Sequence, residues 1–379
     1  MIYGRNIGLG MIITIELQFS KWEHEDCNAG ILELIKSVAS EKVIFAATKQ
    51  HVKYVESIVN LEDVEKCYIE IPKTAYANNL EMLEDYEKII EDILERYKVS
   101  SDDKIVFLSS PKNVMLAARK VIDVGIAVYF VQHANLDWIL ERENERIGDY
   151  SYAEIIKLCC GSGNVYNLAM NPFVKIGLTD ILDDKTLKTF HFLHHPVKGS
   201  IPKSINANKT TIGVYGQCVN ANFGRILKQS KEENLLKRFM VLRSCDSNHM
   251  DYSFKLPKEL RIYQKPGGFD KSELLNAISR MGWILLPYSK DMYKVSMSGI
   301  LADAIRYSIP IIALNSPIVD YYNEYIIGIV AETPEALVES LVSEGNKNYT
   351  KYKENMQKLK SDMIDAGEMQ LRKVLYENG

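Results

Sequence analysis

Short apolar runs alternate with longer amphipathic stretches along almost the whole chain. Residues 12–17, 43–47, 64–71, 105–109 and 127–131 have the length and β-branched or aromatic bias of buried strands. Between them, residues 29–40 put Ile31, Leu32, Leu34, Ile35 and Val38 at helical spacing, residues 51–59 and 78–97 are further helices, and another starts at Asn113. Residues 165–170 and 190–193 are expected to be later strands of the same sheet. Strands that alternate with helices pair in parallel, because the helix is the crossover that a parallel neighbour requires. The pattern therefore predicts an α/β protein built on a doubly wound sheet.

Periodicity lapses between His194 and Lys209, where HHPVKGSIPKSINANKT gathers proline, glycine, serine and asparagine, and then the alternation restarts. Strands are expected at 211–215, 238–242, 260–263, 283–287 and 309–314, with helices at 223–229, 271–280 and 298–307. Ser272 and Glu273 stand where the helix after Pro266-Gly267-Gly268 should be capped. A long charged helix, or a pair of them, fills 349–376. The expected organisation is a first domain over 1–195, a linker over 196–209, a second domain over 210–360 and a terminal helical segment over 361–379. At 379 residues and 46% hydrophobic, the chain is long enough to give each domain its own core.

A net charge of −4 without a dominant basic run gives no bulk attraction to nucleic acid, so nucleic acid is not expected as a partner. The 6 cysteines lack CxxC spacing, which favours reduced thiols over a disulfide frame or a zinc site. No window reaches the roughly 18 apolar residues of a membrane span. The chain reads as cytoplasmic, with peripheral contact to a membrane surface left open.

In parallel sheets ligands collect at the carboxyl ends of the strands. The loop 288–297 lies there, and the helix behind it opens Ser298-Gly299, turning free backbone N–H groups and the positive end of its dipole toward the crevice. That predicts a phosphate site, with Tyr288 in its loop. Gly216, Gln217 and Asn222 follow the first strand of the second domain and belong to the same edge. Arg243 and Lys265 are candidate neutralisers of a diphosphate. In the first domain, His133 directly follows a buried strand in YFVQHAN, and Glu23 and His24 lie in a polar loop after the first strand, with helix capping as the competing role for that loop. His194 and His195 point in different directions and have no carboxylate or cysteine partner at ligand spacing, so a linker role is favoured and no metal is expected.

The stretch WILLPYSKDMYKVSMSGILADAIRYSIPIIALNSP resembles the donor-binding half of glycosyltransferases of the GT-B architecture, particularly the bacterial family 4 group of polysaccharide biosynthesis. The resemblance implies two Rossmann-like domains facing a cleft, with the last helix crossing back to the first domain. It implies that Ser298, Gly299 and the loop hold the donor diphosphate, that Asp303 in SGILADA holds the ribose, and that Tyr263, Lys265 and Pro266 line the base pocket. Val295 stands where the group often carries a glutamate, so the donor sugar and the stereochemistry are not carried over. The implied activity is metal-independent transfer of a sugar from a nucleotide-diphosphate donor to a glycan or lipid-linked acceptor, with His133, His24 and Glu23 on the catalytic side and no cofactor. Two alternatives share the layout: another transfer or epimerase enzyme, and a non-catalytic sugar- or nucleotide-binding subunit.

Overall fold

A computed structural model describes residues 10–21, 24–71, 81–140, 150–198, 208–230, 233–244, 256–266, 268–344 and 346–377. The chain divides into two compact units, Met1–Gly199 with Ile364–Gly379, and Ser200–Met363.

In the first unit, β1 (Met11–Ile15), β2 (Lys42–Ala47), β3 (Glu65–Tyr68), β4 (Lys104–Phe107), β5 (Ala127–Gln132), β6 (Val165–Ala169) and β7 (Phe190–Phe192) form one sheet. Its order is β3-β2-β1-β4-β5-β6-β7, and every pairing is parallel. The second unit holds β8 (Asn208–Tyr215), β9 (Phe239–Ser244), β10 (Arg261–Lys265), β11 (Met281–Leu286), β12 (Ile311–Leu314) and β13 (Gly328–Ala331). Their order is β10-β9-β8-β11-β12-β13, again wholly parallel. Each sheet reverses its winding once, between β1 and β4 and between β8 and β11. Loops leaving the two strands at such a reversal diverge to opposite faces and open a crevice at their carboxyl ends. The class expected from alternation, two Rossmann-like doubly wound α/β units, is the class found.

The central strands read as apolar runs because helices cover both of their faces. All of β11, including Trp283, is buried. The Trp283 ring meets Tyr349 and Tyr352 edge-on, with centroids 5.3 and 5.9 Å apart. Burying an aromatic or aliphatic side chain of this kind contributes about 1.5–3 kcal/mol relative to exposure. The terminal segment is a single 28-residue helix, Tyr349–Tyr376. Its later turns place Leu371, Val374 and Leu375 in the core of the first unit, among Ile31, Leu34 and Ile35. Among the described residues no helix is long and apolar enough to cross a membrane.

Several local expectations are corrected. The helix expected at 271–280 is capped by Asp270, whose carboxylate accepts from the Glu273 amide while Glu273 reaches back to the Asp270 amide. The Ser272 hydroxyl donates to Asp270 instead. The helix expected near Asn28 begins at Glu25, directly behind His24, which sits at φ +56° and makes no side-chain cap hydrogen bond. β13 and the helix Pro334–Glu344 were not anticipated.

Candidate functional site

At the β8/β11 reversal two loops are stitched together by short-range polar contacts. Asn220 caps the helix Ala221–Gln229, and its side-chain amide donates to the Gln217 carbonyl at 3.0 Å and to the Pro287 carbonyl at 3.2 Å. Asn222 donates to the same Pro287 carbonyl at 3.3 Å. The Tyr293 hydroxyl donates to the Gln217 side chain at 2.8 Å, and the Tyr293 ring lies edge-on to Tyr288 with centroids 4.9 Å apart. Gly216 turns the chain at φ +54°, and a Cβ there would come within 3.2 Å of Ile300, so both backbone freedom and space call for glycine.

The helix Gly299–Arg306 starts against these loops. Ser298 is fully buried, and its hydroxyl accepts from the Leu301 amide at 3.2 Å while bonding to the Tyr288 hydroxyl. Its side chain is therefore engaged as the helix cap. Gly299 is exposed, and a Cβ there would meet nothing within 4 Å. First-turn amides have no intrahelical acceptor, so the Gly299 and Ile300 N–H groups are what this end offers to an anion. One turn on, the Asp303 side chain is 19% exposed; it pairs with Arg306 at 3.2 Å and accepts from the Tyr215 hydroxyl at 3.4 Å. Burial pushes the Asp303 carboxyl up, against the opposing effects of Arg306, Lys271 and Tyr215. Burial likewise pushes the Tyr215 and Tyr288 hydroxyls far up, which keeps both as proton donors.

The six donor-side residues Gly216, Gln217, Tyr288, Ser298, Gly299 and Asp303 thus share one edge. The other four, Arg243, Tyr263, Lys265 and Pro266, stand at or near the carboxyl ends of the neighbouring strands β9 and β10. Arg243 is the penultimate residue of β9 and donates to Gln264 at 2.8 Å. Lys265 ends β10, and its ammonium faces Glu273 at 2.6 Å and Asp270 at 4.0 Å. The strand expected at 260–263 runs on to Lys265 as the edge strand β10, with Pro266 directly after it. Tyr263 lines a cavity of about 210 Å³ with Leu242, Phe269, Glu273 and Asn276.

The first unit carries a second polar edge at the β1/β4 reversal. Its organiser is Glu16, the fully buried residue after β1. One carboxylate oxygen accepts from the amides of Gln18 and Phe19 at 2.7 and 3.0 Å, and the other from Asn28 at 2.8 Å and Ser109 at 2.7 Å. Asn28 also contacts His51 at 2.9 Å, and His51 reaches the Lys21 carbonyl at 2.6 Å. The loop bearing His24 is thereby pinned at both ends. Sequence reasoning missed Glu16, although an acid closing the apolar run MIITIEL was the available signal.

His24 stacks on Phe19 with ring centroids 4.2 Å apart and meets His133 edge-on at 5.3 Å. His133 is held by its amide, which donates to Asn135 at 2.7 Å, and by the neighbouring Gln132, which bonds Asn135, Tyr152 and Asn167. Burial, then His195 and His24, press the His133 imidazole well below the usual histidine range, so it is neutral at neutral pH. His195, expected to serve a linker, is only 4% exposed, and its Nε2 lies 2.9 Å from Nε2 of His133. Cys27 joins this pair: one ligand atom from each of Cys27, His133 and His195 falls within 4.8 Å of the others. Glu23 lies outside the described residues.

Two parallel, doubly wound α/β units with polar edges at both winding reversals define a protein of the GT-B fold. Solved structures share it over nearly their full length. Sucrose-phosphate synthase from Thermosynechococcus elongatus matches with TM-score 0.65 at 10% identity, covering 97% of this chain and 98% of that one. A glycosyltransferase from Rickettsia africae ESF-5 matches with TM-score 0.58 at 13% identity, covering 97% of each chain. A UDP-N-acetylglucosamine 2-epimerase matches with TM-score 0.56 at 12% identity, covering 98% of this chain and 95% of that one. No known family and no curated protein matches the sequence.

Proposed function

We propose that the protein is a glycosyltransferase that moves a sugar from a nucleoside-diphosphate sugar to a hydroxyl of a glycan or lipid-linked acceptor, in surface polysaccharide or glycoconjugate synthesis. The observation that carries this reading is the exposed amino end of the helix Gly299–Arg306, clear of side chains at Gly299 and set at a winding reversal. Backbone amides and the helix dipole there suit a diphosphate, and Asp303 one turn on suits a ribose hydroxyl. In the transfer the bond from the sugar's anomeric carbon to the diphosphate oxygen breaks as the acceptor oxygen bonds that carbon and releases its proton to solvent, the nucleoside diphosphate leaving with the bonding electron pair. The growing charge on the leaving diphosphate is what fixed N–H dipoles stabilise, at no reorganisation cost. The donor is a substrate, and this chemistry calls on no resident cofactor. The imidazoles of His24 and His133, the latter neutral, suit contact with the acceptor hydroxyl or the transferred sugar, and the same reading keeps Glu23 on that side.

Isothermal titration with UDP, GDP, ADP and CDP tests the reading: binding to at least one is expected, and binding to none by a folded protein rejects it. An epimerase is the second reading, favoured by the 2-epimerase among the structural neighbours. Mass spectrometry separates the two, because transfer adds the mass of a sugar to the acceptor whereas epimerisation leaves every mass unchanged.

A further inference from the structure

We propose that Cys27, His133 and His195 form a zinc-binding site in the first unit. The three residues come from distant parts of the sequence but from one edge of one sheet. Cys27 stands on the first turn of the helix after β1, His133 directly follows β5, and His195 lies three residues beyond β7. All three follow carboxyl ends of parallel strands, which brings them to the ligand side of the unit. Their ligand atoms lie within 4.8 Å of one another, and the two Nε2 atoms are 2.9 Å apart.

Around a tetrahedral zinc ion, bond lengths of about 2.0–2.1 Å to nitrogen and 2.3 Å to sulfur put neighbouring ligand atoms about 3.3–3.6 Å apart. The observed spacings bracket that value, so small side-chain movements close the site. Nδ1 of His195 lies 3.2 Å from the Pro196 carbonyl. That contact directs the N–H of His195 to the backbone and its Nε2 lone pair to the cluster, the orientation that metal-bound histidines take from their outer partners. Cys27 and His195 are 7% and 4% exposed, so the ion would sit in a sheltered pocket. One sulfur and two imidazoles favour zinc over calcium or magnesium, which take oxygen ligands. Three protein ligands leave a fourth position for water or another oxygen donor. Binding converts the Cys27 thiol to a zinc thiolate, the proton passes to solvent and no electrons move. The site does not depend on the proposed sugar transfer, although both draw on His133.

The test uses the intact, tag-free chain, stripped with a chelator and reloaded with zinc or cobalt(II). A single zinc ion per chain is expected by elemental analysis, and cobalt should give a thiolate-to-cobalt charge-transfer band in the near ultraviolet. Cys27→Ser should abolish the band, whereas Cys67→Ser should keep it. Iodoacetamide labelling of the wild-type chain, mapped by mass spectrometry, needs no variant to fold. Labelling of Cys27 should slow about a hundredfold when free zinc is about 100 times Kd. Absence of stoichiometric metal, a band that survives Cys27→Ser, or Cys27 labelling indifferent to zinc would each overturn the proposal in favour of a plain histidine–histidine hydrogen bond.

Discussion

The hydroxyl of Tyr293 donates to the side chain of Gln217 at 2.8 Å, tying the loop after β11 to the turn after β8 across 76 residues of sequence. Both residues belong to loops at the edge where the donor is proposed to bind. Tyr293 holds this position at φ +57°, so the loop keeps a backbone conformation that its own sequence disfavours. Tyr293→Phe removes one partly exposed hydrogen bond worth about 0.5–1.5 kcal/mol. Nucleoside-diphosphate affinity measured by calorimetry should fall roughly 2- to 10-fold while Tm hardly moves. A large drop in Tm with unchanged affinity would make the contact a purely structural tie.

Gly299 separates helix stability from anion binding. Gly299→Ala adds a Cβ that meets nothing within 4 Å and should stabilise the fold by about 0.4–1 kcal/mol. Gly299→Asp should also suit the helix, since a carboxylate at the amino end favours the dipole, but it places negative charge where the diphosphate is proposed to sit. Its Tm should hold or rise while nucleoside-diphosphate affinity falls about tenfold or more. Wild-type affinity in Gly299→Asp would remove the phosphate from this helix.

Asp303 joins a proposed ribose contact to a structural pairing with Arg306, whose side chain is 3% exposed. Asp303→Asn should lower stability by about 1–3 kcal/mol, because Arg306 loses its charged partner. It should also weaken nucleoside-diphosphate binding about tenfold but leave inorganic pyrophosphate unaffected, since pyrophosphate has no ribose. Equal losses for both ligands would assign Asp303 to the fold alone.

Glu41 sets a pH dependence. Burial would raise its carboxyl, but hydrogen bonds from Lys104 and Tyr376 outweigh that and hold it down to about 2, against an ordinary value of 4.5. A carboxyl depressed in the folded state contributes stability above its unfolded pKa and loses it as pH falls through the folded value. The contribution, on the order of 3 kcal/mol, should be complete above about pH 4.5 and gone near pH 2. Thermal melts of wild type and Glu41→Gln should therefore differ at pH 7 and converge near pH 2. A constant gap across that range would rule out the linkage. The tie to Tyr376 also implies that the end of the terminal helix loosens with it.

Local pattern was enough to find most strands, because a buried strand and the helix covering it each leave an apolar period that neighbouring residues report. The same pattern placed Gly216, Ser298 and Gly299 near strand ends, where ligands bind in parallel sheets, while Asp303 came only from the family resemblance. It could not give the strand order, and so could not locate the reversals at β1/β4 and β8/β11 that make those particular ends crevices. Nor could it choose hydrogen-bond partners across long separations. Glu16 meets Ser109 93 positions away, and His195 meets His133 62 positions away. Lys265 illustrates the same limit, since its ion pairs with Glu273 and Asp270 are set by the folded edge of the sheet and not by local pattern. Periodicity is a property of neighbours in sequence, whereas a site is a set of distances between strangers. Those distances exist only once the sheets have closed.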